Sequence, residues 1–214
     1  MNVFKNPETA KDYDSYYNSE FGKKVDEIEK KVLSSVMKNM PRMHLLELGC
    51  GTGHWTKFFL QQGFQVTATD ISEAMLNLAK EKELNAVFKK ADAENLPFEN
   101  NTFEAVAAVT MIEFVENQEK VFDEMYRVLQ PGGRLVLGCL NAASVLAENS
   151  AQDPVFKEAQ FLAPEQLREK LNRFGNPRFE YGVCLDSEFN IVDGSTDKKS
   201  AEPVFIAALV QKTR

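Results

Sequence analysis

Leu46-Glu47-Leu48-Gly49-Cys50-Gly51-Thr52-Gly53 carries the clearest chemistry in the sequence. An apolar run ends there in closely spaced glycines, and Trp55, Phe58 and Phe59 follow at helical spacing. A strand that hands over to a helix through such a turn brings its backbone N–H groups out with no side chain in the way. A ligand can lie directly against them. The spacing is GxGxG. A dinucleotide fingerprint, GxGxxG, needs its third glycine at position 54, where His54 stands. A tight strand–helix turn without a ligand uses the same glycines, so the loop alone does not define a site.

Two acids accompany it. Asp70 closes the alternating stretch Phe64, Val66 and Ala68. Beside the first loop of a parallel sheet, it can accept both hydroxyls of a ribose. It can equally cap the next helix, although Ser72 is available for that role. Asp92 lies in Ala91-Asp92-Ala93-Glu94-Asn95-Leu96-Pro97-Phe98. Its carboxylate can take an exocyclic amine while a neighbouring backbone N–H meets a ring nitrogen, a pair that reads adenine. A solvated acidic loop is the other use of such a segment.

These residues need elements to position them. Val25, Ile28, Val32, Leu33 and Val36 predict an amphipathic helix over about 22–39, stopped before Pro41. His44–Leu48, Phe64–Ala68 and Ala86–Phe88 predict three strands. Met75, Leu78 and Ala79 mark the helix behind Ser72. Phe103–Val109, almost free of polar residues, reads as a strand covered on both faces. Val121, Phe122, Met125, Val128 and Leu129 form a helical stripe, ended by a turn at Pro131-Gly132-Gly133. Arg134–Leu140 is a fifth strand. Leu167, Leu171 and Phe174 mark a helix with Pro164 in its first turn, and strands at Phe179–Leu185 and Val204–Val210 close the chain. Helices alternating with seven strands predict an α/β fold with a mostly parallel sheet covered on both faces. Residues 141–163 and 186–202 read as long polar connections, of the kind that form lids or substrate-binding elements.

The composition narrows the function. The chain has 214 residues, 43% hydrophobic and 27% charged, which is ordinary globular usage. No run approaches the ~18 apolar residues of a membrane span. The start lacks the basic-then-apolar order of a signal peptide. A net charge of −7 argues against a basic nucleic-acid surface and disfavours a strongly anionic substrate. Cys50, Cys139 and Cys184 are far apart and odd in number, which suggests reduced thiols in a cytoplasmic protein. No CxxC, HExxH, EF-hand loop, P-loop or GxSxG is present, so no metal site is expected.

The three loops, in this order, resemble the class I S-adenosylmethionine-dependent methyltransferases, most nearly the small-molecule branch that includes ubiquinone/menaquinone C-methyltransferases. The resemblance is best over about residues 43–140. It extends to Phe103-Glu104-Ala105-Val106, to Glu113-Phe114-Val115 and to Arg127-Val128-Leu129-Gln130-Pro131-Gly132-Gly133. It implies a Rossmann-like sheet of seven strands with an antiparallel final strand, in a single domain over 1–214. Residues 1–40 would form a helical lid, 41–140 the cofactor-binding core, and 141–214 the substrate side with the closing strands. S-adenosylmethionine would be the cofactor and S-adenosylhomocysteine the product. Gly49, Cys50, Gly51 and Gly53 would form the loop beside the methionine moiety. Cys50, common at its position in the family, argues for packing and not redox work. Glu47 would anchor the loop and reach the methionine ammonium. Asp70 would hold the ribose, Ile71 and Met75 would pack on the adenine, and Asp92 with the Ala93 backbone would read its edge. Thr110 and Met111 would flank the methyl group.

The sequence departs from that pattern at Glu113, where many relatives carry histidine. That substitution weakens the inference of a general base: Glu113 and His54 are the only candidates, methyl transfer from a sulfonium needs none, and no residue is assigned a catalytic role. His54 more naturally begins the helix after the glycine loop. The segment Lys11-Asp12-Tyr13-Asp14-Ser15-Tyr16-Tyr17 resembles the aromatic segment that folds over the cofactor in several relatives, with Tyr13 facing it. The same rings could simply dock the first helix on the core. Asn141, Ser144, Phe156 and Phe161 lie where an acceptor would enter. The expected acceptor is a small molecule, with no nucleic-acid partner, and the chain a monomer or homodimer. Two other functions remain open on these residues: a protein that binds the cofactor without turning it over, and a nicotinamide-dependent oxidoreductase.

Overall fold

The computed structural model describes residue 4, residues 7–192 and residues 202–213, apart from the side chains of residues 7, 11 and 12. Eight strands form one sheet in the order β3-β2-β1-β4-β5-β8-β6-β7. Strands β1 (His44–Leu48), β2 (Gln65–Asp70), β3 (Val87–Lys90), β4 (Phe103–Val109) and β5 (Leu129–Leu140) run parallel. The final strand, β8 (Pro203–Gln211), inserts antiparallel between β5 and β6 (Arg178–Leu185). Helices α3 (His54–Gln61), α4 (Glu73–Glu81), α5 (Gln118–Val128) and α7 (Pro164–Asn172) make the crossovers.

Alternation along the strands divides the apolar residues between two cores. Leu45 and Val136 face one, with Leu33, Phe59 and Phe205. Leu46 and Leu137 face the other, with Phe122, Leu167 and Phe174. Strand β1 has β2 on one side and β4 on the other. The chain thus leaves β1 in opposite directions, and a crevice opens at the carboxyl ends of these strands.

The structure changes several expectations. The helix expected at 22–39 is α2 (Glu20–Val36), and a separate helix, α1 (Pro7–Asn18), precedes it. Ser19 divides them: its hydroxyl donates to the Tyr16 carbonyl and accepts from the Gly22 N–H. Strand β3 begins one residue late and runs through Lys89 and Lys90, as an exposed edge permits. Pro131-Gly132-Gly133 does not end a helix ahead of a strand. It lies inside β5 as a bulged stretch, with the register jumping from Phe103↔Leu129 to Ala105↔Arg134. The sheet has an eighth strand, β7 (Ile191–Val192), a two-residue pairing too short to leave a periodicity. The connection 141–163 holds a short helix, α6 (Val145–Asn149), capped by Ser144. Residues 193–201 of the second long connection lie outside the described residues. Among the described residues no helix is long and apolar enough to cross a membrane.

Gly138, in the middle of β5, is set by packing. A β-carbon there would lie 2.6 Å from Phe205 Cζ and 2.7 Å from Val109 Cγ1, in a wall that cannot yield. Gly138→Ala is expected to lower stability by about 1–3 kcal/mol in urea denaturation. A change near zero would show that β5 and β8 are less tightly packed than described.

Candidate active site

The glycine turn is closed upon itself. Cys50 N–H donates to the Thr69 carbonyl at 2.9 Å, and Gly53 N–H donates to the Cys50 carbonyl at 2.9 Å. Gly51 N–H donates to Asp70 Oδ2 at 2.8 Å. These donors, expected to face a ligand, are used within the protein. What the loop offers is room. Gly51 has φ +52°, and a β-carbon on it would meet nothing closer than Tyr13 Cε1 at 3.8 Å and Met75 Sδ at 4.0 Å. A side chain would project into the space a ligand needs.

Asp70 ties two loops together. Its Oδ1 accepts the Ser72 N–H at 2.8 Å, while Oδ2 holds Gly51. Ser72 itself caps α4, so Asp70 serves the turn and not the cap. Burial pushes its carboxyl above the ordinary value, against the lowering effect of those N–H groups. Each carboxylate oxygen retains a further lone pair, so ribose hydroxyls can still donate to it.

The loop after β3 is clamped from below. Arg127 donates to the carbonyls of Leu96 and Phe98, and Glu124 accepts the Leu96 N–H. Arg127 and Glu124 pair with each other at 2.6 Å. Asp92 Oδ1 accepts the Glu94 N–H at 2.9 Å, which leaves the rest of an exposed carboxylate facing the cleft.

On the far wall, Thr110 ends β4 at φ +47°, a conformation that costs a β-branched residue strain. Its N–H is held by the Gly138 carbonyl at 2.7 Å. Met111 packs so closely on Gly49 that a β-carbon there would lie 2.1 Å from its Cγ. A short 3-10 helix, Ile112–Phe114, follows. Glu113 within it is 1% exposed. Its Oε1 accepts the Leu140 N–H at 2.6 Å, and its Oε2 has no partner. Burial pushes its carboxyl up to about 7.

Helix α1 covers the open side. Asp14 accepts from the Thr52 hydroxyl at 2.5 Å and pairs with Lys82 at 2.7 Å. Tyr17 stacks on His54 at 3.7 Å between centroids, and His54 Nε2 lies 2.7 Å from Asp26. His54 does begin a helix, as expected, and is held by these contacts.

The resulting cleft encloses about 990 Å³ with its open mouth. Gly49, Gly51, Asp70, Ile71 and Met75 line one side of it. Asp92 and Ala93 line the second, and Thr110, Met111 and Tyr13 the third. Three residues expected at the cofactor are not on its wall. Glu47 is buried within β1, where it accepts from the Thr56 hydroxyl at 2.6 Å. Cys50 points into the core, and Gly53 starts α3 against Ala79 and Leu84. Glu113 sits behind the wall. Among the residues the sequence reading missed, Phe114 and Val115 stand in a motif it had noticed, and Thr69 precedes Asp70. Phe4 had no local signal. The described lining residues include four acids, Asp70, Asp92, Glu94 and Glu116, and no lysine or arginine.

Residues 46–137 match the protein family described as "Methyltransferase domain". The uncharacterized protein MJ1123 of Methanocaldococcus jannaschii is 28% identical over 99% of this chain and 100% of its own length. The ubiquinone/menaquinone biosynthesis C-methyltransferase UbiE of Saccharophagus degradans is 36% identical over 44% of this chain, and that match spans only 41% of the relative. Among solved structures, a Thermotoga maritima S-adenosylmethionine-dependent methyltransferase, described as a possible histamine N-methyltransferase, superposes with a TM-score of 0.73. It is 22% identical and covers 97% of this chain and 98% of that one. Residues 46–137 are thus similar to a methyltransferase domain, and the chain shares the fold of an S-adenosylmethionine-dependent methyltransferase.

Burial holds Glu29 and Glu47 up at about 8 and Glu113 at about 7, against an ordinary value of 4.5. The folded protein therefore keeps these protons over a range where the unfolded chain has lost them. Their contribution to stability is fully present below 4.5 and is lost as pH rises through 7 to 8. Carboxylates held low by ion pairs, such as Asp26 and Glu124, act at more acid pH. The melting temperature is expected to fall between about pH 5 and 8. Glu47→Gln, which keeps an acceptor for Thr56, should flatten that fall. A melting temperature that climbs over this range would contradict the assignment.

Proposed function

We propose that this chain transfers a methyl group from S-adenosylmethionine to a small-molecule acceptor, within a cytoplasmic compartment that keeps its cysteines free. The observation that carries the reading is the charge of the cleft: four acids and no basic side chain among the described lining residues, with a glycine turn in which the N–H groups of Cys50, Gly51 and Gly53 are already used. A pyrophosphate needs free donors or cations, and the described lining residues supply no lysine or arginine. An adenosyl ligand with a positively charged sulfonium and ammonium suits an acidic cleft that offers room. This same observation weighs against the nicotinamide-dependent alternative.

In this reading residues 41–140 hold the cofactor, with Asp70 toward the ribose, Asp92 and the Ala93 backbone toward the adenine edge, and Ile71 and Met75 against the ring. Bound there, S-adenosylmethionine supplies an activated methyl group. Thr110 and Met111 set the depth of the methyl end, and Tyr13 excludes water above Gly51. Alignment and desolvation then supply most of the rate, with no protein base required. Residues 141–214 furnish the acceptor side through Phe156 and Phe161, which continue the aromatic wall begun by Phe114.

Two measurements test the assignment. In calorimetric titration, S-adenosylhomocysteine should bind and NADH should not. Asp70→Asn should weaken the binding about 10- to 100-fold, as loss of a charge-assisted pair of hydrogen bonds does. Unchanged affinity would remove Asp70 from the ribose role. Bound S-adenosylhomocysteine should also suppress tryptic cleavage within residues 1–40, because α1 is held by contacts to the glycine turn. Equal cleavage with and without ligand would show that α1 is not a lid.

A further inference from the structure

Beyond the cofactor cleft, polar groups are buried without cause in the fold. Glu113 Oε2 has no hydrogen-bond partner, and Glu113 is met only by the N–H groups of Leu140 and of its own backbone. Glu29, on α2, is 6% exposed and lies within electrostatic reach of Glu113. Lys30 also reaches Glu29, but its ammonium is held by Asp26 at 2.6 Å. The two buried carboxyls thus sense each other, and among the described residues no free cation pairs with either. A buried carboxylate oxygen without a partner is costly, and no cap, turn or ion pair here uses it.

A series of aromatic rings runs from α1 to Phe114, the residue after Glu113. Tyr17 packs edge-on to Tyr13 at 5.5 Å between centroids, Tyr13 to Phe4 at 5.8 Å, and Phe4 to Phe114 at 4.9 Å. Phe114 continues to Phe156 at 6.0 Å. The belt crosses from the lid to the substrate side and passes over Tyr13 and Phe114, which also line the cofactor cleft. Tyr13, Tyr16 and Tyr17 all sense the charge of Glu29. Ring faces and buried acids together form the environment that holds an organic ammonium.

We propose that the methyl acceptor is an amine, bound as its ammonium ion by Glu113 and Glu29 inside this aromatic belt. The proposal rests on the methyltransferase reading and adds the acceptor class. It also gives Glu113 a task. One N–H bond of the ammonium breaks, its proton passes to Glu113 Oε2, and the electron pair stays on nitrogen. The neutral amine then has the lone pair that a methyl acceptor needs. Burial holds Glu113 at about 7 and Glu29 at about 8, values suited to exchanging a proton near neutrality. Asp26, Lys30 and the three tyrosines face Glu29, and Cys139 faces Glu113.

The test is calorimetric binding to the full chain saturated with S-adenosylhomocysteine, with phenethylamine and 2-phenylethanol as probes matched in shape. The amine should bind at least about tenfold more tightly than the alcohol. Glu113→Gln keeps an acceptor for the Leu140 N–H, and Glu29→Gln is a second variant on a different element. Either should weaken the amine about tenfold and leave the alcohol and S-adenosylhomocysteine unchanged. Equal or absent binding of the two probes would overturn the proposal, as would amine affinity unaffected by both substitutions. If S-adenosylhomocysteine itself fails to bind, the methyltransferase reading falls and the amine proposal with it.

Discussion

One carboxylate sets the geometry of the site. Asp70 takes the N–H of Gly51 on one oxygen and that of Ser72 on the other, and so joins the turns that follow β1 and β2. A carboxylate this buried is tolerable only because it is hydrogen-bonded in this way. The bonds leave the glycine loop without donors to offer at Gly51, and they aim the remaining lone pairs of Asp70 into the cleft. A structural bond therefore decides the ligand chemistry. The loop accepts what needs space and repels what needs an N–H cradle.

The parts of this arrangement carried by short-range patterns were legible in the sequence. The glycine turn, Asp70, Asp92 and the strand ends at Thr110 each sit where apolar periodicity meets a polar break. Two of the misplaced residues are explained by where β1 ends. Glu47 is still inside the strand, buried and bonded to Thr56, whereas Gly49 and Gly51 lie beyond Leu48 in the turn that lines the cleft. Cys50, between those glycines, turns back into the core that holds Leu45, which strand alternation does not foretell. The division between α1 and α2 rests on a hydroxyl, Ser19, that both donates and accepts, which composition does not reveal. Strand β7 and the contacts of Phe4 come only from tertiary packing, and no local sequence feature announces them.

The acids nearest the proposed acceptor follow a different logic from Asp70. Asp70 is paid back by two backbone donors, whereas Glu113 has one oxygen satisfied and one left bare. Replacing Glu113 by an apolar residue would remove that cost but also release the N–H of Leu140, at the end of β5. The fold thus needs one of its oxygens, and none of the described residues pairs with the other. Glu29, on α2, is a second buried acid, and it senses the charge of the first.

Placing these acids beneath α1 links their electrostatics to closure of the lid. The helix is held by Asp14 against Thr52 and Lys82, at the edge of the glycine turn, and its tyrosines sense the charge of Glu29. Closure removes water from both the cofactor cleft and the acidic region, and lower effective dielectric strengthens any pairing made there. A cation entering under α1 would satisfy carboxyls that the closed protein leaves short of partners, so its binding and the docking of the helix would favour each other. The lid contacts sit at Thr52, beside the glycine turn, while Tyr13 of the same helix lines the cleft and packs on Phe4, which meets Phe114 on the far wall. Coupling the two ends through one short helix is what lets a cofactor-binding loop and an acceptor pocket answer to a single closure.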